Sequence, residues 1–530
     1  MNHGEDERLP GDLPADRRDF MRHLAALIAA AGAGLHWPGV ADAQQPAAGG
    51  PMPAKDAVRD LVGIQMGPHT MLDEGIEHCL DLIQETAAID TIFVYSHAYG
   101  GDLHKPLNLL ATDHGVPVKD QQARKLPLVW VKRHDEYYKD TTLRHPAIDT
   151  SFAYHDRDLF AEMMRPLRQR GMKVYARILE AGGRGIENFP RVATTNVYGR
   201  PTGTGCWNHP EYIGFWRATV EDLFRSYDLD GFQWGAERAS PLTNIIQNGN
   251  DNSAACFCQF CRARGKAHGI DADRARQGFE EILLYVQRLR AGQVKPPDGA
   301  AVGVLRILLR YPEVLAWEYQ YRLSREAVMK TMYDQIKAIK PGAPVGWHVD
   351  HWATSMDIIA RSAMSYSEMA PWSDYLKVVV YHAVTGPRVR SWVSNVQRSV
   401  LGDLTLEEAL DLHYELFGYD KALRPTANAP APPGTWRDYV FRETRRSVAS
   451  AEGTTKIYPG IGFNVPGATD DPDTIYQVVL KAYEAGANGI VASREYEEMT
   501  VPNLRAMGRA VRAPQRAPAR ALVNNSRMSP

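Results

Sequence analysis

Three cysteines fall within six residues in Cys256-Phe257-Cys258-Gln259-Phe260-Cys261, and a fourth, Cys206, lies in Gly205-Cys206-Trp207-Asn208-His209-Pro210. Four thiolates complete the tetrahedral shell of a structural zinc ion. The alternatives are a pair of disulfides or buried thiols. A Cys-x-Cys disulfide is strained, and folding in a reducing compartment favours thiolates. The expectation is one zinc held by Cys206, Cys256, Cys258 and Cys261, with no organic cofactor. Cys79 lies on the apolar side of its predicted helix and reads as core.

A second set of residues carries acid–base chemistry. Glu237 follows Asp230-Gly231-Phe232-Gln233-Trp234-Gly235-Ala236, a short apolar run entered through Asp-Gly. Asp350 follows a similar run, and so does Glu495. Two carboxyl groups across a glycosidic bond can cleave it, one as acid and the other as nucleophile or base. Glu237 is expected to be the general acid, with burial against Trp234 raising its pKa. Asp350 and Glu495 compete for the second role. The residues expected to bind substrate are His97, Arg177, Trp234, Arg238, His348, Tyr381, His382 and Arg494. Rings stack on the C–H faces of sugars, and planar polar groups bind their hydroxyls. A different reading makes His97, His348 and His382 ligands of a catalytic metal.

The elements that position these residues alternate strand and helix. Strands are predicted over 61–66, 91–95, 173–178, 231–234, 345–349, 377–381, 456–460 and 489–492. Amphipathic helices are predicted over 73–86, 158–170, 212–227 and 473–485. Eight such units imply an α/β fold, a (β/α)8 TIM barrel, over 56–512. An open doubly wound sheet is disfavoured, because no Gly-x-Gly-x-x-Gly follows the first strand. In a barrel the C-terminal strand ends form the catalytic face, which is where the residues above fall. Long insertions are expected after strand four (239–342) and strand six (385–455).

Lys and Arg total 61 against 63 Asp and Glu, a net charge of -2. That excludes a nucleic-acid binder driven by bulk positive charge. The N-terminus reads as an address rather than a fold. Arg17-Arg18-Asp19-Phe20-Met21 is a twin-arginine pattern, an apolar run follows, and Ala41-Asp42-Ala43 is a small-x-small cleavage site. The run is shorter than the roughly 20 apolar residues a membrane span needs. The expected organisation is an export signal over 1–43, a linker over 44–55 and a disordered tail over 513–530. The mature protein is expected in the periplasm or outside the cell, free of the membrane. Its expected partners are the twin-arginine export machinery and a carbohydrate; the sequence leaves the oligomeric state open.

A lone cysteine after the third strand, then Cys-x-Cys-x-x-Cys after the fourth, resembles the zinc site of the family-42 β-galactosidases. The resemblance implies a (β/α)8 glycoside hydrolase with its acid/base glutamate at the end of strand four, the place of Glu237. This chain departs from that pattern twice. Ala236-Glu237 stands where the clan has Asn-Glu, and strand seven leads to Asn464 rather than a nucleophilic glutamate. Either the second carboxyl comes from another strand, or the mechanism is inverting, or the barrel has lost hydrolysis and binds carbohydrate without cleaving it.

Overall fold

The computed structural model describes residues 59–99, 113–116, 127–148, 150–180, 182–183, 185–419, 437–463 and 470–513, all within one compact unit. The expected export signal, linker and tail beyond 513 lie outside the described residues, as does Asn464.

Eight parallel strands close into a barrel: β1 (Leu61–Met66), β2 (Thr91–Ala98), β3 (Lys173–Glu180), β6 (Gly231–Ala236), β7 (Val345–Val349), β8 (Tyr375–Val379), β9 (Lys456–Gly462) and β10 (Gly489–Ser493). β10 pairs back to β1. Between β3 and β6 a hairpin of β4 (Ala193–Thr195) and β5 (Pro201–Gly205) stands apart from the barrel. The fold is the expected (β/α)8 barrel. β8 begins and ends two residues earlier than the sequence suggests. The helix expected over 73–86 is two helices, Pro68–Glu74 and Ile76–Ala87, broken at Gly75, whose φ of 95° is left-handed.

A device repeated four times fixes the register at the N-terminal end. Asp90, just before β2, accepts from the Val62 backbone N–H of β1 at 3.1 Å. Asp230 before β6 does the same for Val174 of β3 at 2.9 Å, and Asp374 before β8 for Val345 of β7 at 2.7 Å. Asn488 before β10 accepts from Ile457 of β9 at 2.9 Å. Each satisfies a backbone donor at the open lower end of its neighbour and pins the pair in step.

Just above this end the interior is filled by rings. Phe93 meets Tyr175 with centroids 5.0 Å apart, Tyr175 meets Tyr375 at 5.9 Å, and Tyr375 meets Tyr458 at 5.1 Å. Leu61 and Val491 complete the layer. The rings fit because neighbouring strands offer glycine at the same level. Gly231 pairs with Tyr175, and Gly346 with Tyr375. A Cβ on either glycine would stand 2.7 Å and 2.4 Å from those rings.

The expected insertions are present. The one after β6 carries the helices Pro241–Asn248, Gln259–Ala267, Ala272–Arg290, Ala300–Arg310 and Glu313–Ile339. The one after β8 includes His382–Gln397 and Leu406–Phe417. A third, between β2 and the helix Leu159–Gln169, was not expected from the sequence.

Candidate active site

Side chains alternate between the barrel axis and the helix layer along each strand. Counting up from the ring layer, the next inward positions hold Gln65, Tyr95, Arg177, Gln233, His348 and Lys377, and the rim above them holds Glu237, Asp350, Tyr381 and Glu495. All three expected catalytic carboxyls therefore face the same mouth.

Arg177 is buried and organises one side. Its guanidinium lies 4.2 Å over the Tyr95 ring, and its Nη1 stands 3.5 Å from Glu495 Oε1. Gln65 turns its amide oxygen to Arg177, accepting from Nε at 2.8 Å, and its amide nitrogen donates to Ser493 Oγ at 2.7 Å. Tyr95 Oη donates to Glu495 Oε1 at 2.8 Å. Burial pushes the Glu495 carboxyl up to about 7 against the opposing charge of Arg177.

Lys377, His348 and Glu237 form the other side. Lys377 is fully buried; its Nζ donates to Tyr381 Oη at 2.8 Å and faces His348 Nδ1 at 3.5 Å. Burial, helped by Arg177, drives its pKa well below the usual lysine range. His348 Nε2 stands 3.5 Å from Glu237 Oε1. With Nδ1 facing the lysine, hydrogen-bond logic assigns the ring proton to Nε2, pointing at the carboxylate. Burial and Lys377 lower the His348 pKa to about 4, so the ring is neutral near pH 7.

Glu237 is the first residue past β6, and its side chain is 45% exposed on the floor of the open mouth. Enclosure by the rim alone would raise its pKa. The His348 hydrogen bond and the charges of Arg177 and Arg388 outweigh that and hold it at about 2. Asp350, the first residue past β7, accepts from the Trp352 N–H at 3.0 Å. Burial raises it to about 7, with Arg325 opposing and the Glu237 charge adding to the rise. Glu237 and Asp350 each follow the end of one of two adjacent paired strands, where Trp234 is the partner of Trp347, and the Glu237 charge bears on Asp350. Glu237 is thus held towards the anionic form, and Asp350 towards the protonated one.

Five residues expected to bind substrate do not face the mouth. Trp234 points outward, 1% exposed, and packs at 5.5 Å from Trp207 and 6.3 Å from Trp216. It therefore cannot stack on a sugar or desolvate Glu237. Arg238 also points outward; its Nη2 and Nε clamp Glu180 at 2.6 and 2.9 Å, Nη1 binds Gly205 O at 2.7 Å, and the group lies 3.5 Å over Trp207. His97 follows a register shift in β2 and is buried against His145, ring centroids 4.1 Å apart. His382 faces Asp470, Nε2 to Oδ1 3.0 Å. Hence His97, His348 and His382 do not converge, and the metal-hydrolase reading loses its ligand set. Arg177, His348 and Tyr381 are at the mouth as expected. Arg494 is an outward position, with 24% of its side chain exposed and Nη2 3.4 Å from Glu498 Oε1.

The sequence reading missed Lys377, Gln233, Arg325 and Arg388. Lys377 carried a usable signal, since a lone charge in Tyr375-Leu376-Lys377-Val378-Val379-Val380 shares its parity with Tyr375 and Tyr381. Arg325 and Arg388 come from the insertion helices Glu313–Ile339 and His382–Gln397, whose approach to the mouth no strand pattern encodes.

The four cysteines converge. Their Sγ atoms all lie within 4.8 Å of one another, and among the described residues they are the one group of three or more metal-type ligands that does so. Cys206 Sγ is 3.4 Å from Cys258 Sγ and 3.5 Å from Cys261 Sγ, with no disulfide. A tetrahedral ion with bonds of about 2.3 Å sets sulfurs roughly 3.8 Å apart. Neighbouring donors also face the sulfurs: Thr195 N–H to Cys256 at 3.3 Å, and Asn208 Nδ2 to Cys261 at 3.3 Å. Such outer donors orient thiolate ligands. The donor set fits a metal.

Together the barrel and its mouth define a (β/α)8 protein with a carboxylate-bearing C-terminal face. No family model matches the chain, and no curated protein matches it. Among solved structures it is similar to the PgaB (BpsB) glycoside hydrolase domain of Bordetella bronchiseptica, at 10% identity over 82% of this chain and 94% of that one, TM-score 0.43. It is similar to the β-galactosidase of Marinomonas ef1, at 10% identity over 85% of this chain and 59% of that one, TM-score 0.45. It is also similar to α-L-fucosidase isoenzyme 2 of Paenibacillus thiaminolyticus, at 13% identity over 85% of this chain and 48% of that one, TM-score 0.39. The chain thus spans about half the length of the last two.

Proposed function

We propose that the protein is a glycoside hydrolase in which Asp350 donates the proton and Glu237 is the anionic partner. The supporting observation is that these two carboxyls stand at the ends of adjacent strands, with their proton affinities displaced in opposite directions. Parallel strands lie roughly 4.8 Å apart. Groups so spaced suit the retaining geometry, about 5–5.5 Å between carboxyls, better than the roughly 6.5–9.5 Å of inverting enzymes. Glu237 attacks the anomeric carbon, while Asp350 protonates the departing oxygen. Water then enters, Asp350 takes its proton, and the glycosyl–Glu237 ester is cleaved. Glu495 stays with Arg177 and Tyr95 and shapes the wall. The test is turnover of a panel of 4-nitrophenyl glycosides by the wild type, Glu237→Gln and Asp350→Asn. Wild-type turnover lost in both variants supports the proposal; turnover unaffected by either change removes it.

A carbohydrate-binding barrel without catalysis is the second reading. It is favoured by the inward positions near the end of β9, which are Gly460 and Gly462 and bring no carboxyl to the mouth. Absence of turnover with retained glycan binding would select it.

The cysteine cluster is proposed to hold structural zinc through Cys206, Cys256, Cys258 and Cys261. Four protein ligands leave no open position, so the ion would hold the hairpin to the insertion rather than take part in the reaction. Export through a twin-arginine signal, and a periplasmic or secreted location, are proposed on the sequence pattern of residues 1–43.

A further inference from the structure

Several enclosed arginines in this protein close on carboxylates. Arg361 meets Glu443 at 2.6 Å, and Arg322 meets Glu326 at 2.7 Å. Two at the mouth do not. Arg325 is half-buried, has no hydrogen bond or ion pair among the described residues, and its Nε is fully enclosed without an acceptor. Arg388 is half-buried and lies 5.9 Å from the Tyr381 ring, again without a hydrogen bond or ion pair among the described residues. Arg325 bears electrostatically on Asp350, and Arg388 on Glu237. They come from different insertion helices, Glu313–Ile339 and His382–Gln397.

We propose that Arg325 and Arg388 bind the anionic substituent, carboxylate or sulfate, of an acidic sugar, so that the substrate is an acidic rather than a neutral glycan. This rests on the reading that the mouth holds a glycan. Burying a cation without a partner is costly, and an incoming anion relieves that cost where a neutral hydroxyl leaves the charge uncompensated. The planar guanidinium fork matches carboxylate and sulfate oxygens. The helix that carries Arg388 also lines a cavity of about 250 Å³ with Arg390, Ser391, Ser394 and Arg398.

The experiment measures binding of the full-length protein to defined oligosaccharides by calorimetry, independently of turnover. The probes are a uronic-acid oligosaccharide, a sulfated one and a neutral one of equal length. The expected result is affinity for at least one acidic probe exceeding the neutral one by tenfold or more. Arg325→Gln and Arg388→Gln should each reduce it by about tenfold to a hundredfold, the loss expected for a charged hydrogen bond. Preference for the uronide over the sulfate, or the reverse, identifies the substituent. Arg388→Lys keeps the charge without the fork and should fall between; thermal melting confirms that each variant folds. Equal binding of neutral and acidic probes overturns the proposal while leaving glycoside hydrolysis standing. Acidic preference that survives both arginine changes overturns it as well. Binding to none of the probes, with turnover of a neutral glycoside intact, overturns this inference alone.

Discussion

Lys377 Nζ stands 3.5 Å from His348 Nδ1, and His348 Nε2 stands 3.5 Å from Glu237 Oε1. A fully buried amine thus sets the tautomer of a buried imidazole, and the imidazole presents its proton to the one carboxylate at the mouth that is kept ionised. Ranking the mouth groups by proton affinity assigns their roles in a way that position alone does not.

The first prediction separates those roles. Asp350→Asn removes the transferable proton and should slow cleavage of glycosides with poor leaving groups by roughly 10²–10⁴. Activated aryl glycosides should suffer less. Glu237→Gln should be slowed on both kinds of substrate, because the anion is needed whatever leaves. The reverse pattern, with Glu237→Gln sensitive to the leaving group, would restore Glu237 as the acid.

The second concerns pH. Asp350 must be protonated to act, and its pKa is about 7. Activity on an unactivated glycoside should be steady at mildly acidic pH and fall about tenfold per unit above the value for the pair. Glu237, held at about 2, imposes no limb in the neutral range. A pH–rate profile of kcat/KM that rises through pH 7 contradicts this assignment.

The third concerns stability. Glu495 has its folded pKa raised to about 7, so the folded state holds a proton that the unfolded chain releases near pH 4. The stability linked to that proton is fully present below about pH 4 and is lost as pH rises through about 7. Glu495→Gln, which cannot ionise, should show a smaller drop in Tm between pH 5 and pH 8 than the wild type. Identical slopes would show that Glu495 is not the source.

The fourth concerns Arg238. Its partner Glu180 is fully buried, and Tyr212 Oη also donates to Glu180 at 2.6 Å. Removing the arginine strands a buried carboxylate, so Arg238→Ala should cost about 3–5 kcal/mol in urea unfolding. Substrate preference in whatever protein remains folded should be unchanged. A stable variant with altered preference would put Arg238 back at the mouth.

The fifth concerns the cysteines. Purified protein should contain about one zinc per chain, one tetrahedral shell of four thiolates. Cys258→Ser should lower Tm and metal content together while leaving the ratio of rates on different glycosides unchanged. Metal-free native protein with all four thiols free to react would end the proposal.

The barrel was legible in the sequence because its strands are short, apolar and separated by helices of clear period. The mouth was legible only in part. Glu237, Asp350 and Glu495 were found by looking just past each strand's end. Trp234 and Arg238 also lie at and just past a strand's end, but one residue along a strand is the opposite face of the sheet. Alternation along β6 groups Gln233 with Glu237 and sets Trp234 and Arg238 on the other face. His97 escapes even that rule, since the register of β2 shifts between Tyr95 and His97. Arg325 and Arg388 were beyond reach, because helix packing rather than strand periodicity brings them in.

The ring layer of Phe93, Tyr175, Tyr375 and Tyr458 closes the barrel from below, so among the described residues the mouth is the doorway to the polar groups above it. Under the proposed function, a cleaved sugar held among Arg177, His348 and Tyr381 would stand in the way of the next. Release then competes directly with entry, and the end product should act as a competitive inhibitor. Turnover on long polymers would be paced by how quickly that doorway clears.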